Sequence, residues 1–560
     1  MSVDVAASTN MESQDKKTPY SNEKTSPSLD IQEGHSSDIV DFKEEPEKEL
    51  PRTFSPRQIQ VINVGGTLGS GLFIVTGKAL ASGGPGSVIV GYALVCSAVF
   101  AVLQVVGEMT IAFPTSGNFI DYADRFVDPA LAFAAGFAEW LGWTAVIGSE
   151  AVMFNTVVNY WADGAVPTAA LYTIFLVFLA VLMFLPNQWF AWFEYITSIL
   201  KIIGLLVIIF FCFAVILGAG ANGQGHRYTG ETWRELPVFK NGFSGFSSCM
   251  LYAIWAIGDN VMPGLTIGEG KTPRFSMGRA VKIVPFRVSV VYLIPCTLVS
   301  FIVRSDDDRL FGGKGAAASP FVIAANMAGV GGLGDFLNVI IMLGLTAIAA
   351  ESIYISSRIA RAMSHQRIVP RYMAKVNSWG QPMFAIGLTV VVGVILTYIN
   401  LSATGVTVFT WLVSITSAAY FMVWMIIVIS SVRFRAALKA QNDPLFEELY
   451  AWRMTGWPFT PIYLMAMCIL LLIACIYSGL YSVGSTSISV YAFFEYMIGV
   501  LLILASYIGY KLVCRTKLRD LKTVDLQTGR RVISEGELTL LRTYYATPPW
   551  RRALSYFQIW

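Results

Sequence analysis

The chain has 560 residues, of which 55% are hydrophobic and only 14% charged, with mean hydropathy +0.58. Soluble domains carry about 25% charged residues, so an ordinary water-soluble enzyme is excluded and no cofactor is expected. The net charge of +3 is too weak to hold a nucleic acid, and seven cysteines without a CxxC pair, beside three histidines, make neither a zinc site nor a disulfide framework.

Residues 1–50 hold 12 Asp/Glu against 5 Lys/Arg and almost no aromatics. Such a segment cannot bury a core, so residues 1–54 read as a disordered tail; without a basic start and an apolar stretch, it is not a signal peptide. Apolar runs of bilayer-crossing length then follow one another, about 20 residues being needed for each. They fall near 58–78, 87–113, 130–161, 168–186, 190–218, 244–265, 283–303, 333–357, 381–399, 404–431, 460–478 and 487–513. The expected fold is therefore an all-α membrane protein with twelve spans in one domain, 55–513. The loops 266–284, 357–380 and 432–459 carry 4, 5 and 4 Lys/Arg, whereas 162–167, 400–403 and 479–486 carry none. Basic loops stay in the cytosol, which puts both termini inside. The last stretch, 514–560, has 9 Lys/Arg against 4 Asp/Glu and reads either as a solvated cytosolic tail or as a segment touching anionic lipid.

The first span contains Gly65-Gly66-Thr67-Leu68-Gly69-Ser70-Gly71, four glycines in seven residues. Each weakens a helix by about 1 kcal/mol against Ala. In hydrocarbon a helix is interrupted only where it lines a cavity, and a half-helix that starts there points its positive end at an anion. Close helix packing through small residues is the alternative. The sixth span carries Trp255-Ala256-Ile257-Gly258-Asp259-Asn260 before Pro263. Paired interruptions five spans apart point to a transporter site, with freed carbonyls for an ammonium group and Trp255 as a cover. Glu139, Glu150, Lys201, Asp259 and Glu351 lie inside spans. Each costs at least about 2.5 kcal/mol at mid-span for Asp or Lys, and so belongs to a pathway or a pair. Lys201 reads as a proton-exchanging group or as a lysine snorkelling to the surface, and Glu194 as interfacial.

These residues resemble a known family. The run Gly65 to Leu80 with Gly83-Gly84-Pro85, then Gly107-Glu108-Met109, Tyr122 to Leu131, Tyr160-Trp161, Gly268-Glu269, Pro273-Arg274, Ser356-Ser357-Arg358 and Arg433-Phe434-Arg435, is similar to fungal amino-acid permeases of the amino acid–polyamine–organocation superfamily. The resemblance covers roughly 52–530. It implies a five-plus-five inverted repeat with broken helices one and six plus two additional helices, and proton-coupled amino-acid uptake across the plasma membrane. It also implies that Thr67, Gly69, Ser70 and Gly71 take the substrate carboxylate, that Trp255, Ala256, Ile257, Gly258 and Asp259 take the amine side, and that Lys201 and Glu150 couple protons.

The sequence departs from that family at two places. The usual Gly-Thr-Glu of span six is replaced, by ungapped count from Gly268-Glu269, with Asp259, Asn260 and Val261; in span eight, Ala350 and Glu351 stand where a small residue and Asn-Ser are common. Asp259 and Glu351 add carboxylates while spans six and eight offer no cation. One reading is a substrate with an extra positive charge, such as a basic amino acid, polyamine or quaternary amine; the other is that Asp259 caps a half-helix at the break and Glu351 stays protonated against a neighbouring helix. The other reading open at this level is a transporter-like nutrient sensor that binds ligand with little flux.

Overall fold

The computed structural model describes residues 61, 64–115, 117–220, 227–260, 273–310, 319–402, 405–484 and 488–555. The expected tail 1–54, the Gly268-Glu269 motif and Val261 lie outside the described residues. So does the sixth span beyond Asn260.

Among the described residues, eight helices are long and apolar enough to cross a membrane. They are α1 (Gly71–Ala112), α3 (Pro129–Ala162), α5 (Asn187–Ile216), α7 (Pro273–Ile302), α8 (Leu333–His365), α10 (Gly405–Gln441), α11 (Phe459–Leu480) and α12 (Val490–Cys514). A short helix α2 (Phe119–Phe126) precedes α3, and three shorter apolar helices fill the remaining expected spans: α4 (Thr168–Phe184), α6 (Gly242–Ile257) and α9 (Met383–Ile399). Two short helices, α13 (Glu535–Ala546) and α14 (Pro549–Ser555), follow α12. The interruption in span one and the one at the end of α6 stand five spans apart, as a five-plus-five repeat requires, with α11 and α12 as the additional pair.

One boundary differs from expectation. Spans one and two are not separated by a loop but run together as α1, bent at Gly84 (φ 75°, ψ 171°). That φ belongs to the left-handed side, which glycine enters without steric cost. A Cβ on Gly84 would also lie 2.8 Å from the carbonyl oxygens of Pro237 and Val238. Pro85 has no N–H to lose, and the loop satisfies the groups freed by the bend: Gly86 N donates to Val238 O (2.9 Å) and Lys240 N donates to Gly83 O (2.9 Å). The corner is thus paired rather than left open.

Helix α5 shows what faces lipid and what faces protein. Trp189, Trp192, Ile196, Ile199, Ile203, Leu206, Phe210, Phe213 and Leu217 are all exposed. Their alternating spacing of three and four draws one apolar stripe along the helix. Glu194, Thr197, Ser198, Lys201 and Gly204 occupy the opposite, buried face. The polarity of a soluble helix is inverted, because lipid replaces water outside. Inside, α3 packs along α8 and α10, and α1 along α6 and α7; these six carry the site.

The C-terminal stretch is not an open tail. Arg519 N donates to Val127 O (2.9 Å), its guanidinium pairs with Asp124 (2.8 Å), and Arg531 N donates to Ala112 O (3.1 Å). Arg530 pairs with Asp443 at 2.8 Å and also meets Glu448. Residues 515–555 therefore lie docked against the helix ends on one face of the protein.

Candidate functional site

The first span loses its helical hydrogen bonds over Gly66–Gly69, and a π-helical turn, Gly71–Val75, starts the second half. Leu72 N and Phe73 N both donate to Gly69 O (3.1 Å each). The amides of Ser70 and Gly71 come before that ladder and form the positive end of the resumed helix. The break therefore lies slightly earlier than the Gly69–Gly71 segment expected from sequence. On the other side, α6 ends at Ile257 and passes into a tight turn, Gly258–Asn260, so its last carbonyls form a negative end.

The two interruptions meet at Tyr292 of α7. Its hydroxyl lies 2.9 Å from Thr67 O and 2.6 Å from Ala256 O. A phenol has one proton, so it donates to one carbonyl at a time while staying within reach of both. Tyr292 is fully buried, and it ties break to break.

Between them lies a small cavity. Seven residues singled out from sequence on the two spans line it: Thr67, Gly69, Ser70, Gly71, Trp255, Ala256 and Asp259; Glu150 of α3 joins them. Ser70 Oγ donates to Glu150 Oε1 at 2.5 Å. Trp255 stands edge-on to Phe409 of α10 (centroids 5.7 Å apart, 75°). Two polar atoms of this wall, Trp255 Nε1 and Glu150 Oε2, have no hydrogen-bond partner among the described residues. Leaving such groups buried and unpaired costs about 1–3 kcal/mol each, a cost that a bound polar ligand removes.

Four expected residues lie elsewhere. Ile257 is fully buried in the core, and Gly258 packs against Tyr420, where a Cβ would come within 2.5 Å of the ring. Lys201 sits behind the break, fully buried, 3.4 Å from Glu194 Oε1. It does not snorkel, and Glu194 is its buried partner rather than an interfacial residue. Gly344 of α8 leaves the room that the Lys201 methylenes fill, and the same spot faces Leu68 O of the break. Glu351 of α8 does not line the cavity; its charged neighbours are Glu194, Lys201 and Asp259.

Electrostatic interactions reach the two added carboxylates from spans five and seven: Lys201 with Glu351, and Arg287 with Asp259. These cations stand beside a bound ligand as candidates for the counter-charge.

Sequence reasoning missed Trp143, Val146, Tyr292, Ile348 and Tyr420 of the cavity wall. A signal existed for the first two. Glu139, Trp143, Val146 and Glu150 recur at four, three and four, one helical face, and Glu139 and Glu150 were already marked. Trp143 Nε1 donates to Glu139 Oε2 (3.1 Å) along that face. Nothing in the sequence marks Tyr292 or Tyr420.

The glycines do two jobs at once. A Cβ on Gly71 would lie 2.6 Å from Ala256 Cβ and 2.8 Å from Ala256 Cα. Close packing, at Gly71, and helix interruption, over Gly66–Gly69, which stood as alternatives, both occur within this run.

Comparison with known proteins comes out consistently. Residues 58–523 match the model of the family described as amino acid permease. The chain is 30% identical over 516 residues to amino-acid permease inda1 of Hypocrea atroviridis, covering 91% of this chain and 89% of that one. It is 31% identical over 527 residues to the histidine permease of Saccharomyces cerevisiae, covering 90% and 85%. It is 30% identical over 515 residues to the tryptophan permease of the same yeast, covering 90% and 86%. Among solved structures, a manganese transporter of Eremococcus coleocola superposes with TM-score 0.47 at 14% identity, covering 85% of this chain and 98% of that one.

Proposed function

The chain belongs to the amino acid permease family, a multi-pass membrane amino-acid transporter and not an enzyme, and on that footing we propose that it imports a zwitterionic α-amino acid with a proton across the plasma membrane, both termini facing the cytosol. The observation that carries the reading is the cavity between the two interruptions, with the amide end of one half-helix and the carbonyl end of another facing it. A carboxylate binds at the Gly69–Gly71 amides and an ammonium near the α6 carbonyls and Asp259, each at the helix end of opposite sign. Trp255 and Tyr420 border the space left for the side chain.

Glu150 and Lys201 supply the coupling. Ser70 donates to Glu150 Oε1. A proton on Oε2, the oxygen without a partner, makes Glu150 a donor while Oε1 still accepts from the Ser70 hydroxyl at the start of the resumed helix. Lys201, paired with Glu194 behind the break, holds the same segment from the other side. Proton state and carboxylate site thereby share one hydroxyl.

A zwitterionic substrate brings no further cation to the added carboxylates, with which Lys201 and Arg287 interact electrostatically. The sensor reading has no support, because the named relatives are permeases. The test is uptake of radiolabelled amino acids in a permease-deficient yeast, with a competition panel of neutral, acidic and basic amino acids and polyamines. We expect accumulation against a gradient, greater with acid outside and abolished by a protonophore, with neutral amino acids competing best. Binding without accumulation would refute transport; accumulation indifferent to the protonophore would refute proton coupling.

A further inference from the structure

Three contacts fix how α5 lies against α8. A Cβ on Gly204 would come within 2.9 Å of Ile340 Cγ2, one on Gly344 would lie 3.4 Å from Lys201 Cδ, and Phe190 stacks on Tyr354 (centroids 4.6 Å apart, 15°). Going back along α5 from 204 through 201 to 190 goes forward along α8 from 340 through 344 to 354, so the two helices are antiparallel. Seven residues before Lys201 stands Glu194, and seven after Gly344 stands Glu351. The same register therefore sets these two carboxylates opposite each other, two turns or about 10 Å from the level of Lys201. Each lies on the contact face of its own helix at spacings of three and four, Glu194 with Ser198 and Lys201, Glu351 with Gly344 and Ile348.

Lys201 serves both. Its Nζ is 3.4 Å from Glu194 Oε1, and it interacts electrostatically with Glu351 and, on the side of the transport cavity, with Glu150 of α3. Asp259 after α6 and Tyr420 of α10 also face Glu351, and Arg287 of α7 interacts with Asp259. Helices α4 and α9, packed on α8 as well, carry no charged residue. Two carboxylates thus share one nearby ammonium, and a proton held between them removes the second negative charge from hydrocarbon. Beyond the pair, toward the start of α5 and the end of α8, lies a small cavity lined by Asn187, Phe190, Tyr354, Ser357, Arg358 and Gln381. That end belongs to the face where the C-terminal segment docks: Gln366, just after α8, donates to Asp121 of α2, and Asp124 of the same helix holds Arg519.

We propose that Glu194 and Glu351 form a proton-holding pair on the cytosolic side of the break in span one, the station from which a coupled proton leaves. The pair rests on the proton coupling and the orientation proposed above and adds two residues to them. The transfer balances. An N–H bond of Lys201 breaks as an O–H bond forms on Glu194, and the O–H bond of Glu150 breaks as the N–H bond of Lys201 is restored. The pair then releases one proton toward the cytosol by way of the small cavity, and every group ends as it began. Glu351, the departure from the family in span eight, thereby gains a role that does not require it to touch the substrate.

The experiment uses the full chain reconstituted in liposomes, and two quantities are read. The first is uptake of a radiolabelled mixture of the common amino acids with and without an inward proton gradient. A gradient of about one pH unit allows up to about tenfold greater accumulation for one coupled proton. Glu351→Gln and Glu194→Gln should each lose that gain. Combining them should cost no more than either alone, because the same pair is lost each time, whereas Glu351→Asp keeps a carboxylate and should retain part of the gain. The second quantity is the infrared carboxyl stretch of protonated side chains, which needs no substrate. One band of the unmodified protein at neutral pH should vanish in both glutamine variants alike, since each leaves one carboxylate to one ammonium; in Glu351→Asp it should shift instead. A gradient response kept in either glutamine variant, or a band that survives in either, overturns the proposal. Accumulation indifferent to the gradient in the unmodified protein refutes the coupling reading instead, and the infrared band then decides by itself whether the pair holds a proton.

Discussion

Replacing Tyr292 with Phe removes one oxygen and leaves the ring, with its contact to Tyr92 at 5.9 Å between centroids, in place. The oxygen lost is the one that stands 2.9 Å from Thr67 O and 2.6 Å from Ala256 O. Both carbonyls belong to interrupted helices, where the amide that would normally pair with them is absent. A buried carbonyl left without its donor costs about 1–3 kcal/mol. Only one of the two can hold the proton at a time, so the loss is about one such term rather than two. The consequence falls on the breaks, which relax toward other arrangements; about 1.4 kcal/mol of bias against the binding-competent form weakens apparent affinity about tenfold. Uptake kinetics of Tyr292→Phe should show KM raised about tenfold with smaller change in the maximal rate, while surface expression and thermal unfolding of the purified protein stay close to wild type. Unchanged KM in a well-expressed variant would refute the idea that this hydroxyl joins the two interruptions.

Gly71→Ala should reduce uptake and lower the unfolding temperature, overpacking of this kind costing about 1–3 kcal/mol, because the new Cβ meets both Cβ and Cα of Ala256; wild-type uptake and unfolding temperature in that variant would refute the close contact. Lys201→Arg keeps the charge beside Glu194 but cannot release a proton, so transport should lose its dependence on external pH; an unaltered pH profile would make Lys201 purely structural. Asp259→Asn with Glu351→Gln removes two carboxylates that interact electrostatically with Arg287 and Lys201, so uptake of neutral and basic amino acids should fall together; selective loss of basic substrates would restore the cationic reading. The amide of Thr528, at 2.9 Å, holds the Asp525 carboxyl down at about 2, so the stability it adds is complete above the ordinary carboxylate range and lost as pH falls toward 2. Asp525→Asn imitates the acid form at neutral pH and should speed tryptic cleavage at Arg530, and an unchanged rate would sink that assignment.

The spans were legible because the bilayer imposes them. Length and apolarity alone set α4 near 168–186 and α8 from 333, and the structure gives Thr168–Phe184 and Leu333–His365. The stretch between the spans at 58–78 and 87–113 was left outside both, although the pair Gly84-Pro85 within it is equally the signature of a bend that stays helical on both sides. What decides for the bend is the loop at Pro237–Lys240 arriving to pair the freed groups. That loop lies far along the chain and no local pattern announces it. The interruptions at Gly66–Gly69 and Gly258 were legible for the same local reason, a clustering of glycine and polar residues in an apolar segment.

Charges in the membrane were visible one by one, and their partners were not. Cost in hydrocarbon marks Glu150, Lys201, Asp259 and Glu351 from sequence, yet says nothing of which helix answers each. Glu194 looked interfacial by its position near the start of a span and proves to be the buried partner of Lys201. The same holds for the motifs that carried the family resemblance. Gly107-Glu108-Met109 and Arg433-Phe434-Arg435 were separate strings, but Arg435 binds Glu108 through both oxygens (2.7 and 2.5 Å) while Met454 N donates to the same carboxylate (2.8 Å). Arg435 also lies 4.1 Å from the Trp457 ring and 4.8 Å from that of Phe446. Arg433 donates from Nε to Phe126 O (2.6 Å), at the end of α2 and inside the Tyr122-to-Leu131 run. Three strings far apart in the chain are thus parts of one assembly where α1, α2 and α10 come together. A sequence shows where a polar group is expensive; only the fold shows what makes it affordable.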